Sequence, residues 1–259
     1  MNQSTELKLC IWKAEKFIIN RIKGRMTMKI MTFNTQHVAD FYGTGEIDHQ
    51  KYADYIKEVN PDVVGLNEIR SFWNPRPDFP NQTAILAELS DMPYCFFAKA
   101  IKNIPYGNAI LSKICIKEVK NIEIPDPEPR MFDNPDYETR CVLKAKLENG
   151  LTVIISHFGL NPDEHENAAK TVMEHIETEK CILMGDFNVL PDSHILAPIR
   201  EKMKDTADLF KEPLLSFPAD APDRKIDYVF VSPDIEVISA DIPALELSDH
   251  RPYIVEINY

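Results

Sequence analysis

The sequence predicts an α/β protein whose two-sheet core is covered by helices. Strand-like and helix-like segments alternate from Met28 onward, and several strands are joined as hairpins while others are separated by helical stretches. No linker or internal repeat divides the 259 residues, a length that suits one large domain. The expected organisation is a basic N-terminal extension over residues 1–27 and a single domain over residues 28–259.

Residues 1–27 hold six Lys/Arg and two Asp/Glu. Ile11, Phe17, Ile18 and Ile22 are the apolar positions of an amphipathic helix. Two readings stand: an appended helix packing on the body or on an anionic surface, or an over-long start ahead of Met28. Met28–Phe33 reads as a buried strand. Asp48 can cap a helix in which Tyr52, Ile56 and Val59 share a face. Asp62–Leu66 is a strand after Asn60-Pro61. Ser71–Pro80 is a proline-rich loop whose Phe72, Trp73 and Phe79 either pack it down or form a substrate wall. Gln82–Leu89 is helical, and short strands follow at Tyr94–Ala98, Asn108–Leu111 and Ile114–Glu123.

Ile124–Pro135 is a loop rich in proline and acidic residues. Thr139–Leu147 and Leu151–Ser156 flank Asn149-Gly150, a strong hairpin signal. Asn161-Pro162-Asp163-Glu164 starts a helix: a cap, a proline in the first turn, then acids that complement the dipole. Ala169, Val172, Met173 and Ile176 continue it. Cys181–Met184 is a strand ended by Gly185, and Asp227–Val231 and Tyr253–Ile257 are late strands.

Apolar residues make up 44% of the chain, enough for a sizeable core. No apolar run approaches the roughly 20 residues of a membrane span, and Met1–Ile19 lacks a signal-like stretch. The five cysteines form no CxxC pair, so reduced, buried thiols in a cytoplasmic protein, expected to be a monomer, are the reading. Net charge is −12. With 29 − 6 basic and 41 − 2 acidic residues, positions 28–259 carry −16. Such a body repels polyanions and lacks the basic footprint of a general nucleic-acid binder.

Polar residues recur where strands end: Asn34, Glu68 after Asn67, Asn108 after Tyr106-Gly107, His157 after Ser156, Asp186 and Asn188 in Gly185-Asp186-Phe187-Asn188, Asp227 after Ile226, and Asp249-His250 after Ser248. Taken singly, each is a turn residue or a solvated charge. In this order they resemble the endonuclease/exonuclease/phosphatase superfamily of DNase I, exonuclease III, inositol polyphosphate 5-phosphatases and neutral sphingomyelinases. The resemblance implies a four-layer α/β/β/α sandwich with its site at one end of the two sheets.

The chemistry explains the residue types. An anionic phosphate repels its nucleophile, and a hard dication held by oxygen ligands neutralises that charge. Glu68 and Asn34 are the expected metal ligands, and the resemblance places Asp249 near them. Carboxylates without cysteine favour Mg²⁺, with Mn²⁺ as a substitute. Asp186 resembles the residue that orients the attacking water. His250 and Asp227 resemble the family's imidazole–carboxylate pair, His250 acting as base or as charged phosphate ligand. Asn108, Asn188 and His157 are candidate donors to phosphate oxygens. His157 stands where the apurinic endonuclease branch usually carries tyrosine, and Asn67 where the family more often has Gln.

Arg140 reads either as a phosphate-steering residue or as a surface ion pair. Arg70 resembles a nucleic-acid contact of DNase I, although surface placement fits the acidic body better. His165-Glu166 lacks the second histidine of a zinc-protease helix, since position 169 is Ala. The expected function is hydrolysis of a phosphate ester, small or lipid-linked rather than nucleic acid on grounds of charge. A Mg²⁺-dependent nuclease is the alternative, and a non-catalytic module that kept the fold is the remaining class.

Overall fold

A computed structural model describes residues 27–259 except 77–78, 102–103, 133–136 and 212, and the side chains of 73–79 are outside the described set. The helix expected within residues 1–27 therefore lies outside the described residues. Thr27 alone is described, and it already pairs with Asn258.

Thirteen strands are described. One sheet holds, in spatial order, β12 (Glu236–Asp241), β13 (Tyr253–Asn258), β1 (Thr27–Asn34), β2 (Val63–Arg76), β5 (Tyr106–Ser112) and β4 (Tyr94–Lys99), with β3 (Phe79–Asn81) also on β2. The other runs β10 (Lys204–Asp205), β11 (Asp227–Val231), β9 (Cys181–Asp186), β8 (Thr152–Ser156), β7 (Cys141–Leu147) and β6 (Ile116–Glu123). Within each sheet one central pair is parallel, β1 with β2 and β8 with β9, and the remaining pairs are antiparallel. Among the described residues the α-helices are α1 (His49–Val59), α2 (Gln82–Leu89), α3 (Pro162–Met173) and α4 (Ala197–Lys202).

The two-residue period of a strand assigns its faces to different layers. Ile30, Val63, Ile155, Ile182, Met184 and Val229 meet between the sheets. Met31, Phe33, Val64 and Leu66 point the other way, onto Tyr52, Ala53 and Ile56 of α1 and Leu86 of α2. Leu183, Tyr228 and Phe230 pack on Ala168, Ala169 and Val172 of α3 and Ile199 of α4. Three apolar interfaces thus separate four layers, α/β/β/α, as expected.

Local signals set several boundaries. Asp48 accepts the Lys51 N–H at the start of α1. The Asn161–Glu164 capping box with Pro162 starts α3. Gly150 takes φ +88° in the β7–β8 turn. Three expectations are corrected. The segment Ser71–Pro80 is not a plain loop, because β2 runs on to Arg76 and pairs with β3; the roles weighed for Trp73 and Phe79 concern side chains outside the described set. Gly185 does not end β9, which continues to Asp186. Ile176 lies beyond the end of α3, yet packs on the same apolar cluster.

Candidate active site

The central strand pairs of the two sheets bring the polar residues together. Asn34 closes β1 opposite Asn67 of β2, and Asp186 closes β9 opposite Asp227 of β11. Leu66 faces Ala109 and Ile69 faces Gly107, so Asn67 and Glu68 oppose Asn108 alone. This bulge puts Glu68 at φ +58°, a left-handed conformation costly for a side-chain-bearing residue, and it redirects the carboxylate. Gly185, at φ +137°, passes so close to the facing strand that a Cβ would lie 1.9 Å from the Ser156 carbonyl oxygen.

Asn34 Nδ2 donates to Glu68 Oε1 at 3.1 Å and to Asp186 Oδ2 at 3.0 Å, while its Oδ1 accepts the Gln36 N–H at 3.2 Å. The other Asp186 oxygen accepts the Asn188 N–H at 3.0 Å. His250 Nδ1 bonds Asp227 Oδ2 at 2.8 Å, and its Nε2 lies 3.6 Å from Asp186 Oδ2. His157 Nε2 approaches the same Asp186 oxygen at 3.4 Å. Asn188 Nδ2 lies 3.2 Å from His157 Nε2 and donates to the Phe158 carbonyl.

Glu68, His157, Asp186, Asn188 and His250 border a cavity of ≈ 420 Å³, also lined by Arg70, Arg140 and Asp249, with Asn34 and Asp227 bonded to lining residues from behind. Arg70 is exposed. Arg140 is buried rather than a surface ion pair: its Nη1 donates to the Tyr106 hydroxyl at 2.9 Å and faces Glu138 Oε2 at 3.0 Å. Asn108 stands behind the cavity and does not line it. Its Nδ2 donates to the Cys141 carbonyl at 2.9 Å and its Oδ1 accepts from Asn67 at 2.8 Å, so the expected donation to phosphate is corrected to an internal link. Asn67 is the hub of that link, since its Oδ1 also accepts the Asp186 N–H at 3.0 Å.

Sequence reasoning missed His37 and Phe217. Gln36, His37 and Val38 have φ of 45°, 62° and 65°, a left-handed run for which the sequence holds no glycine signal. It lets His37 Nδ1 reach the Glu68 carbonyl at 3.2 Å. Phe217 packs against the His250 ring with centroids 4.8 Å apart.

The profile of the Endonuclease/Exonuclease/phosphatase family matches residues 31–250. The chain belongs to this family. It is similar in fold to the endonuclease/exonuclease/phosphatase from Beutenbergia cavernae, at 20% identity over 91% of this chain and 72% of that one, with a TM-score of 0.72. A Bacteroides thetaiotaomicron mannosyl-6-phosphatase matches at 17% identity over 90% of this chain and 100% of that one, with a TM-score of 0.71. D. rerio TDP2, complexed with single strand DNA product, matches at 17% identity over 90% of this chain and 99% of that one, with a TM-score of 0.63. No curated protein matches the chain. The family is generally one of hydrolytic phosphoesterases, and the site residues from Asn34 to His250 lie within the matched span.

With several acids in one cavity, burial decides the electrostatics. Burial raises the pKa of Glu68, and the nearby Asp249 adds to the rise against the Asn34 hydrogen bond. Burial likewise raises Asp186, with Asp227 pushing the same way and His250 opposing. For His250 burial alone would lower the pKa, but the Asp227 and Asp186 carboxylates overcome it and the net shift is upward. His157, fully enclosed and beside Arg140, is driven well below the ordinary histidine value. His37 is lowered to about 4 by burial and then by Arg70.

Oxygen ligands crowd this site, and a cation would relieve their repulsion. Asp186, Asp227 and His250 are the acid–imidazole group whose ligand atoms all lie within 4.8 Å of one another among the described residues. Their mutual bonds, especially Asp227 to His250 Nδ1, already occupy part of that capacity. Glu68 and Asp249 line the same cavity, Asn34 adjoins Glu68, and no thiol lines it, a donor set that fits a hard divalent ion.

Proposed function

We propose that the protein is a Mg²⁺-dependent phosphoesterase, with Mn²⁺ able to substitute, acting as a monomer in the cytoplasm on a small or lipid-linked phosphate ester. The observation that carries this reading is the convergence of Glu68, Asp186, His157 and His250 on one cavity. Glu68, Asn34 and Asp249 would hold the ion, Asn34 through its amide oxygen, which has a lone pair beyond the one used by Gln36. When bound, the ion supplies charge neutralisation at the phosphate and at the leaving oxygen.

The chain's own residues divide the remaining work. Asp186 is fixed by Asn34 and by the Asn188 N–H, and it orients the attacking water and draws off its proton. His250, held by Asp227 and raised in pKa, is charged at neutral pH and serves as a phosphate ligand rather than a base. His157 and Asn188 direct N–H groups at the phosphate oxygens as charge builds. Arg70, exposed at the cavity, draws the anion in.

Two features favour a small or amphiphilic alcohol over a polynucleotide. The net charge of −12 disfavours a polyanion. Beyond the reacting groups, the cavity is lined by Ile101, Ile104, Leu160 and Phe217, of which Ile104 is 51% and Leu160 49% exposed. The test is a Mg²⁺ substrate panel: bis-p-nitrophenyl phosphate, sugar and alkyl phosphates, sphingomyelin, plasmid DNA, single-stranded DNA and RNA. EDTA-sensitive turnover of small or lipid esters is expected. Preference for DNA or RNA overturns the substrate reading, and full turnover in EDTA overturns the metal.

A further inference from the structure

The two imidazoles of the cavity have opposite partners at Nδ1. His250 faces a carboxylate, Asp227, at 2.8 Å. His157 faces a guanidinium: Arg140 Nη1 lies 3.3 Å from its Nδ1. A guanidinium has donors only and keeps its protons in proteins. Nδ1 of His157 must therefore accept, which leaves the single proton of a neutral imidazole on Nε2. That atom lies 3.4 Å from Asp186 Oδ2. The Asn188 amide nitrogen, 3.2 Å away, is itself a donor and cannot take this proton; one of its two protons goes to the Phe158 carbonyl.

We infer that Arg140 is a positioning residue that fixes His157 as an Nε2–H donor aimed at Asp186 and the phosphate site. The geometry that holds Arg140 is independent of substrate. Arg140 is 6% exposed, with its guanidinium bonded to the Tyr106 hydroxyl and paired with Glu138. With one Nη1 proton on Tyr106 and the other on His157, that nitrogen has none left for a phosphate oxygen. The charged and titratable groups acting on His157 are Arg140, Asp186, His250 and His37. Burial of the ring and then the Arg140 guanidinium disfavour a second proton on it, so its donor role does not change through the neutral range. The inference rests on the proposed reaction for its purpose, but not for the tautomer.

The test is the ¹⁵N spectrum of histidine-labelled protein, with the His157 signals assigned by their loss in His157→Gln. Wild type is expected to show an unprotonated Nδ1 and a protonated Nε2, unchanged from about pH 6 to 8. Arg140→Met is expected to release the ring into a mixture of tautomers and to lower kcat by about tenfold or more with little change in KM. Arg140→Lys, which keeps a cationic donor, is expected to restore part of both. A wild-type ring protonated at Nδ1 overturns the inference, as does an Arg140→Met protein that keeps the wild-type tautomer. Should the Met variant fail to fold, the wild-type spectrum decides alone. The spectrum needs no turnover, so a protein that hydrolyses no phosphate ester sinks the reaction and leaves this assignment to stand or fall by itself.

Discussion

Asp186 receives hydrogen bonds or close contacts from Asn34, Asn188, His157 and His250, and so its charge is shared among four neighbours. Asp186→Asn keeps the shape and removes the proton acceptor. We expect turnover to fall about a hundredfold or more with folding intact, and the same for Glu68→Ala and His250→Ala. Wild-type rates from all three, measured on protein with a native circular dichroism spectrum, would dismantle the site. At this scale the sequence was most legible where a polar side chain sits at a strand end, because the strand fixes where that end lies. Asn34, Asp186 and Asp227 are of this kind, whereas Glu68 sits at a bulge within β2. His37 was not legible, since its place depends on three successive left-handed residues that carry no glycine signal. The burial of Arg140 was not legible either, because Tyr106, Glu138 and His157 reach it from separate segments.

Elements were readable when a capping or turn signal bounded an apolar period, as in α1, α3 and the β7–β8 hairpin. They were missed when the period was short or diluted: β12 alternates Glu236, Ser239 and Asp241 with its apolar residues at a sheet edge, and α4 has six residues. Two expectations belong here. Gly185→Ala in β9 would drive a Cβ into the Ser156 carbonyl of β8, so denaturant titration is expected to show a loss of about 3 kcal/mol or more. An unchanged midpoint would mean that the two strands part more easily than their register implies. The second concerns Lys225, which ties β11 to β10 by bonding Asp205 at 3.0 Å, with Arg200 of α4 on the same carboxylate. Burial lowers Lys225 to about 8 despite Asp205. Between that value and its unfolded pKa the unfolded chain binds more protons, so stability rises with pH across this window. The cost of burying the ammonium is present in full below about pH 8 and fades above it. Relative to Lys225→Met, wild type should gain up to about 3 kcal/mol between pH 7 and 10 in urea melts; a flat difference would place the ammonium in a better-solvated setting.

For the whole molecule, the four layers follow from strands whose two faces are both apolar, and a sandwich of two such sheets between helices is the arrangement that buries both. The order of strands within each sheet was not legible, because pairing partners are set by long-range contacts that no local pattern encodes. That same topology gathers Glu68, Asp186 and Asp249 at one end, where burial leaves Glu68 and Asp186 with raised pKa values. An ion that binds only the folded state adds RT ln(1 + [L]/Kd), about 2.7 kcal/mol at a hundredfold excess over Kd. In a chain of this size that corresponds to a rise in Tm of roughly 5–10 °C. Scanning calorimetry with and without Mg²⁺ should show it, with EDTA reversing it. Glu68→Gln is the informative partner experiment. Removing one of the crowded charges should raise the Tm of the metal-free protein while abolishing the Mg²⁺ shift and the activity together. A Glu68→Gln protein that keeps the full shift would move the ion to other ligands, the Asp186–Asp227–His250 group being the next candidate.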